Sequence, residues 1–258
     1  MNKWLKDRLN SEDIKPLIEQ DNWQGVYDVI TNGKANVYDR NAAILTAFLI
    51  DELEFNPVDE LTKLYRRQFV DVSSLKKLLI TENIQYVDSY VLLDSTIEHV
   101  TLCSKDTYLE PGAFAKSPLL KTASLPYNMT TFPSSLFYES GLVTFEFPSH
   151  SIEVGRYMFY NCSNLTTVKL SNQIKIIRFG AFENCTSLQT ITIPNSVEYI
   201  TPEAFEGCTS LTEIIFEKGS KIQLDEDSLP TGIVVKCSKD DISLIESMNT
   251  LNIMYEAV

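Results

Sequence analysis

The sequence predicts an α+β chain in which a small all-helical domain precedes a solenoid of short parallel strands. Two observations lead to this prediction. Phenylalanines recur every 22 or 23 residues through the middle of the chain, which is typical of a stacked repeat. Residues 1–81 lack the repeat and carry the periodicity and capping residues of short helices. We therefore expect a helical N-terminal domain (1–81), a solenoid (82–237) and a C-terminal cap (238–258).

The repeat consists of a phenylalanine spine and an apolar triplet that follows each spine residue. The spine positions are Phe114, Phe137, Phe159, Phe182 and Phe205. Five or six residues after each of them a triplet φxxφxφ begins, where φ is apolar, as in Leu165, Val168 and Leu170. A sixth triplet, Ile97, Val100 and Leu102, precedes the first spine residue, and all eighteen triplet positions between Ile97 and Phe216 are apolar. One such coil cannot bury its apolar edge alone, so the coils must stack into a continuous core.

The clearest copies place Gly-Ala-Phe at 180–182, Cys185, Leu188 and Ile-Thr-Ile-Pro at 191–194 at fixed offsets. This pattern resembles the BspA-type leucine-rich repeat over about residues 82–237. The resemblance implies a leucine-rich-repeat solenoid with coils of 22–24 residues, and a surface-adhesion role is familiar in proteins with these repeats. The copies at Phe137 and Phe159 lack the preceding Ala, and the chain is one residue short near Gly141. We expect a local irregularity there.

The alternation within each triplet identifies side chains that point away from the core. Because side chains of a strand alternate between its two faces, the residues flanking the middle φ should face solvent. The candidate binding residues on this ribbon are Thr122, Ser124, Thr144, Glu146, Thr167, Lys169, Thr190, Thr192, Glu213 and Ile215, preceded by His99 and Thr101. Most carry short hydroxyl side chains. This row of hydroxyls has two interpretations. It is an ordinary exposed strand surface, because Thr favours exposed strand positions in general, or it is a binding surface, because solenoids commonly bind protein or glycan partners on this face.

The N-terminal segment is expected to form several helices. Asn56 and Pro57 have the form of a helix start leading to Leu64 and Tyr65, and Ser73 can cap a helix carrying Leu75, Leu78 and Leu79. Further helices are expected at 16–21, 23–31 and 40–50. The segment is either a cap on the first coil or a separate binding or localising unit.

After the last repeat, residues 233–237 are expected to form a final strand, 240–248 a short helix and 252–255 an extended tail. Together these elements would cover the open end of the solenoid, which otherwise presents an unpaired strand edge.

Composition narrows the class of partner. The 258 residues include 22 Lys and Arg against 35 Asp and Glu, a net charge of −13. This charge argues against nucleic acid or an anionic membrane as a direct partner. Residues 1–80 hold 13 acidic and 11 basic side chains (net −2), which leaves −11 to the remainder. An acidic protein that inhibits a nucleic-acid-binding partner by charge mimicry is therefore an alternative function, with Asp-Glu-Asp at 225–227 as the densest acidic run.

No motif of catalysis, phosphate binding or metal binding is present in the sequence. Cys162, Cys185 and Cys208 fall 23 residues apart and are expected to be stacked, buried thiols, with no disulfide and no metal. We expect no enzyme activity and no cofactor. Charged residues within 1–8 give no export signal, and the apolar stretch 42–50 is too short to span a bilayer, so a cytoplasmic location is expected. The predicted function is non-catalytic recognition of a protein partner.

Overall fold

The chain winds into a solenoid whose short strands pair in parallel from coil to coil. The structure is a computed structural model and describes residues 53–55, 63–67, 69, 76–80, 82, 84–222, 224 and 227–257. Within these ranges there are sixteen strands and one helix. They are β1 (Leu53–Phe55), β2 (Lys63–Leu64), β3 (Lys77–Ile80), β4 (Tyr86–Val87), β5 (His99–Leu102), β6 (Tyr108–Leu109), β7 (Thr122–Ser124), β8 (Thr144–Glu146), β9 (Glu153–Val154), β10 (Thr167–Lys169), β11 (Ile176–Ile177), β12 (Thr190–Ile193), β13 (Tyr199–Ile200), β14 (Glu213–Phe216), β15 (Val234–Cys237), α1 (Ile242–Thr250) and β16 (Tyr255–Ala257).

Each coil contributes to two faces. The first face carries three sheets, in the orders β1-β3-β5-β7, β8-β10 and β12-β14-β15-β16. The second face carries two sheets of two-residue strands, β2-β4-β6 and β9-β11-β13. Every pair is parallel, and the partners lie one coil apart in register, as for Thr167 with Thr144. This is the ladder geometry that the repeat predicts.

The core follows the phenylalanine spine. Phe114, Phe137, Phe159, Phe182 and Phe205 are almost fully buried. Their rings stack in a row, with centroid separations of 5.9, 5.7, 5.4 and 5.2 Å between neighbours. The apolar triplets line the same core, and all eighteen of their residues are buried except Leu125, which packs against the core. The predicted repeat register is confirmed.

The buried cysteines act as hydrogen-bond donors between coils. The Sγ–H groups of Cys162, Cys185 and Cys208 donate to the carbonyls of Phe137, Phe159 and Phe182, at Sγ···O distances of 3.1, 3.2 and 3.0 Å. Burial raises the pKa of the Cys162 and Cys208 thiols to about 12 and that of Cys185 well above its ordinary value, which keeps the donating proton in place. All three are thiols, as predicted.

The turns of each coil require a left-handed backbone at fixed positions. Asn161 and Asn184 have φ values of 56° and 59°, and Gly207 occupies the next equivalent position with φ 69°. Asn tolerates this conformation better than most residues do, which accounts for its recurrence in the repeat.

An interruption of the first face coincides with the short coil, where we expect an irregularity, and a second interruption lies between β10 and β12, where the coil has its full length. The first face is interrupted between β7 and β8, on either side of Gly141. A Cβ on Gly141 would lie 2.0 Å from the carbonyl oxygen of Pro118, so only glycine lets the shortened coil approach its neighbour this closely.

The prediction of helices around 56–65 and 73–79 is wrong at the residues that the structure describes. Lys63–Leu64 is strand β2 and pairs with β4, and Lys77–Ile80 is strand β3 and pairs with both β1 and β5. Leu64, Leu78 and Ile80 are buried in the common core. Apolar pairs such as Leu78-Leu79 fit a helix or a strand, and pairing with the adjacent coil selects the strand. The helices expected at 16–21, 23–31 and 40–50 lie outside the described residues, and the domain division at 81 stays a prediction.

At the C-terminal end, the chain forms a strand, a short helix and an extended tail, as predicted. β15 extends the first face, helix α1 buries Leu244 and Met248, and the chain then turns to add β16 beside β15. The extended tail begins three residues later than predicted, because residues 250–252 complete the helix and its turn.

Candidate functional site

All ten predicted binding residues point away from the core on the first face. We call this surface the strand ribbon; its first row is Thr122, Thr144, Thr167, Thr190 and Glu213, and its second row is Ser124, Glu146, Lys169, Thr192 and Ile215. In each strand the residue between the two rows is buried, as the alternation requires. Seven of the ten side chains are exposed, and Thr122, Glu213 and Ile215 are half-buried.

Hydroxyl side chains dominate the centre of the strand ribbon. Thr144, Thr167 and Thr190 occupy equivalent positions in consecutive coils, and Thr192 adds a hydroxyl to the second row. Each hydroxyl both donates and accepts hydrogen bonds. At the N-terminal end of the first row, the ring nitrogen Nδ1 of His99 lies 2.7 Å from Thr122 Oγ1, so these two polar side chains already satisfy each other.

The charges of the strand ribbon are paired across neighbouring coils. Lys169 Nζ pairs with Glu146, and Lys236 Nζ pairs with Glu213. The carboxylate also raises the pKa of Lys236, mainly through the hydrogen bond between them. Beside the start of β5, Glu98 accepts hydrogen bonds from Lys121 and Lys76, which lower its pKa. Because these pairs neutralise one another, the strand ribbon carries little of the net charge of the chain.

The acidic side chains gather elsewhere on the molecule. Glu183, Glu203 and Glu206 lie in the turns that follow β11 and β13, and the pKa of Glu183 is raised by partial burial and by the two neighbouring carboxylates. Residues 225 and 226 of the predicted acidic run lie outside the described residues.

Two surface features were not predicted from the sequence. Tyr138 and Tyr160 stack almost in parallel at 4.8 Å on the turn side of the solenoid. On the second face, Tyr86 stacks on Tyr108 beside a groove of about 820 Å³. The 22-residue spacing of each tyrosine pair is visible in the sequence and was the available signal.

No group of side chains suited to holding a metal ion occurs among the described residues. The described part of the chain likewise contains no helix with the length and apolar character needed to cross a membrane.

Comparison with known proteins identifies the class of fold and then the family. The architecture is a leucine-rich-repeat solenoid. The sequence model of the BspA type leucine rich repeat region matches residues 46–163 and 130–229, in six copies. This match spans more than half of the chain, and the chain belongs to the BspA-type leucine-rich repeat family. Leucine-rich repeats of this kind are a protein-interaction scaffold.

A solved structure supports the same fold. A leucine-rich repeat protein from Bacteroides ovatus is similar over 74% of this chain, with 21% identity and a TM-score of 0.56. The aligned region spans 53% of that protein, about half of its length. The T. pallidum leucine rich repeat protein matches over 69% of this chain and 95% of its own, with 19% identity and a TM-score of 0.49. The comparison with curated proteins finds no match.

Proposed function

We propose that this protein is a non-catalytic recognition module that binds a protein partner through the strand ribbon. The observation that carries the proposal is the chemistry of that surface. An exposed row of threonines continues through β8, β10 and β12, while the charges around it are paired with one another. Such a surface favours a partner recognised by hydrogen bonds and shape over one recognised by charge.

The rigidity of the ribbon supports this role. Thr144, Thr167 and Thr190 flank buried core residues on strands that are fixed by the stacked coils. A β-branched side chain on a strand has few rotamers to lose, so ordering these hydroxyls against a partner costs little entropy.

The proposal is tested by placing a bulky cation on the ribbon. Affinity capture from the source cell, with mass spectrometry of the retained proteins, first identifies the partner. Thr167→Arg and Thr190→Arg should then weaken its binding by about tenfold or more, because an arginine at the centre of an interface blocks close contact. Thr186→Arg is the matched control, since Thr186 is exposed in a turn away from the ribbon.

All three variants should keep the melting temperature of the parent protein, because exposed substitutions change stability by about 0.5 kcal/mol or less. Equal capture by Thr167→Arg, Thr190→Arg and the parent would contradict the proposal. So would a loss of capture seen only when residues 1–81 are altered, because recognition would then lie in the N-terminal segment.

The acidic inhibitor remains a second candidate, and the neighbouring carboxylates of Glu183, Glu203 and Glu206 favour it. The two candidates differ in their response to salt. A partner held by the ribbon should lose only a small part of its affinity between about 50 and 300 mM salt, because few unpaired charges are involved. A loss of about a hundredfold would identify the acidic surface as the binding site.

The cytoplasmic location and the adhesion role both stay hypotheses. If the protein acts as an adhesin, antibodies should label it on intact cells without permeabilisation. Labelling only after permeabilisation would support the cytoplasmic location.

A further inference from the structure

The second face contains a break in its ladder that opens a groove. β2-β4-β6 and β9-β11-β13 are separate sheets, and residues 130–132 lie between them without forming a strand. Pro133 accounts for the break on the side of β6. At the equivalent positions of other coils, the backbone N–H groups of Glu110 and Arg178 donate to Val87 and Val154, at 3.0 and 3.1 Å. Proline has no N–H, so Pro133 cannot donate in the same way to the carbonyl of Leu109.

The resulting groove has the size of a ligand site. Its volume is about 820 Å³, and residues 105–109, Pro111 and residues 128–134 line it. Surface pockets that bind small ligands commonly measure about 300–1,000 Å³. It lies on the second face, between two coils, and shares no residue with the strand ribbon.

Tyr108 offers a flat apolar surface to this groove. The Tyr86 ring stacks on it from the preceding coil, with centroids 5.8 Å apart and planes 16° apart. Tyr86 is itself held in place, because its hydroxyl donates to Glu110 Oε1 at 3.1 Å. In the following coil the equivalent position is Thr131, whose side chain is too small to cover the ring. Tyr108 is therefore 57% exposed, and the ring face opposite Tyr86 is open.

The polar lining of the groove is neutral. Lys105 Nζ pairs with Asp106 at 3.0 Å, so the two charges in the groove oppose each other. The other polar side chains are the hydroxyls of Tyr108, Thr130, Thr131 and Ser134 and the amide of Asn128, all of which can donate and accept, while the Thr107 hydroxyl already donates to the Ile84 carbonyl. A phosphate or nucleotide would need several cations, and the groove does not gather them.

We propose that this groove binds a neutral oligosaccharide, with one pyranose ring stacked on Tyr108. A pyranose has one face of C–H groups and an equator of hydroxyls. The polarised C–H groups meet the negative face of the tyrosine ring. The hydroxyls meet the threonine, serine and asparagine side chains around it. Because the groove is open at the surface, it can hold one part of a longer chain of sugars.

Calorimetric titration of the full chain with cellohexaose, maltohexaose and N-acetylchitohexaose tests this proposal. At least one of the three should bind with a dissociation constant of about 0.1–1 mM. Tyr108→Ala should weaken that binding by about tenfold or more, whereas Tyr108→Phe should keep it within about threefold, because the stacking surface is retained. Tyr199→Ala is the matched control, because Tyr199 occupies the equivalent row on the unbroken sheet, outside the groove.

Thr131→Tyr provides an independent test. The substitution places an aromatic ring at the row position after Tyr108, where it should stack on the open ring face, so it should abolish sugar binding while the melting temperature stays the same. Thr167→Arg should leave sugar binding unchanged, since this residue lies on the strand ribbon. The proposal is overturned if none of the three hexasaccharides binds at about 10 mM, or if Tyr108→Ala binds as tightly as the parent.

Discussion

Replacing Phe182 by alanine tests the phenylalanine spine at its centre. The ring is fully buried and stacks on Phe159 and Phe205, with centroids at 5.4 and 5.2 Å and planes within 9°. A buried Phe→Ala substitution costs about 3–5 kcal/mol through lost burial and the cavity that remains. Each aromatic pair adds about 0.5–1.5 kcal/mol beyond its buried area. Since Phe182 takes part in two stacks, we expect a loss in the upper half of that range.

Urea unfolding followed by far-ultraviolet circular dichroism measures this loss. The midpoint should fall while the slope of the free energy against urea stays the same. Thr190→Ala is the control, because Thr190 lies in the next strand of the same coil and is exposed, and it should shift the free energy of unfolding by about 0.5 kcal/mol or less. A loss below about 1 kcal/mol for Phe182→Ala would refute the stacked-spine description.

Three further predictions concern single residues. Gly141→Ala should destabilise the protein by about 1–3 kcal/mol, because the added Cβ meets the Pro118 carbonyl. Gly155→Ala is the control and should cost far less, because its Cβ would lie 3.5 Å or more from the nearest atoms. The urea midpoints of the two variants measure the difference. Cys162, Cys185 and Cys208 should resist an aromatic disulfide reagent at about pH 8 until urea is added, because they are buried and their raised pKa values keep them protonated. The exposed Cys103 should react under the same conditions. Rapid labelling of all four cysteines in native buffer would contradict this prediction. Glu183→Gln should raise the melting temperature at pH 7 by about 1–2 °C. The raised pKa means that folding favours the protonated form of Glu183, so this advantage should vanish as the pH falls below about 4, and an equal gain at both pH values would argue against a charge effect.

The repeat from Ile97 onward was predictable because its triplets are apolar without exception. The same triplet can be read one period earlier at Leu75, Leu78 and Ile80, and again at Ile50, Leu53 and Phe55. The helix-start signals at Ser73 and Asn56 favour helices over this repeat, and short apolar runs do not distinguish a helix from a strand. The structure shows strands at Leu53–Phe55 and Lys77–Ile80, since a parallel partner in the next coil supplies hydrogen bonds that a local signal cannot reveal.

The orientation of the candidate binding residues was also predictable, because strand alternation alone assigns Thr167 and Lys169 to one side. The pairing of Lys169 with Glu146 could be inferred from the 23-residue spacing, whereas the groove beside Tyr108 could not. Pro133 reveals that one ladder hydrogen bond is missing, but the volume and lining of the groove depend on how the two coils pack.

The interrupted sheets of the first face have a mechanical consequence. Hydrogen-bonded strands resist bending, and between the coils of β7 and β8 the ladders of both faces are interrupted. Between β10 and β12 only the first face is interrupted, because β11 and β13 remain paired on the second face. The row of phenylalanine rings continues through the β7 and β8 coils without a gap. A force that bends the solenoid should therefore concentrate its curvature between β7 and β8, and the molecule should flex as two stiff segments joined at one hinge rather than as a uniform spring.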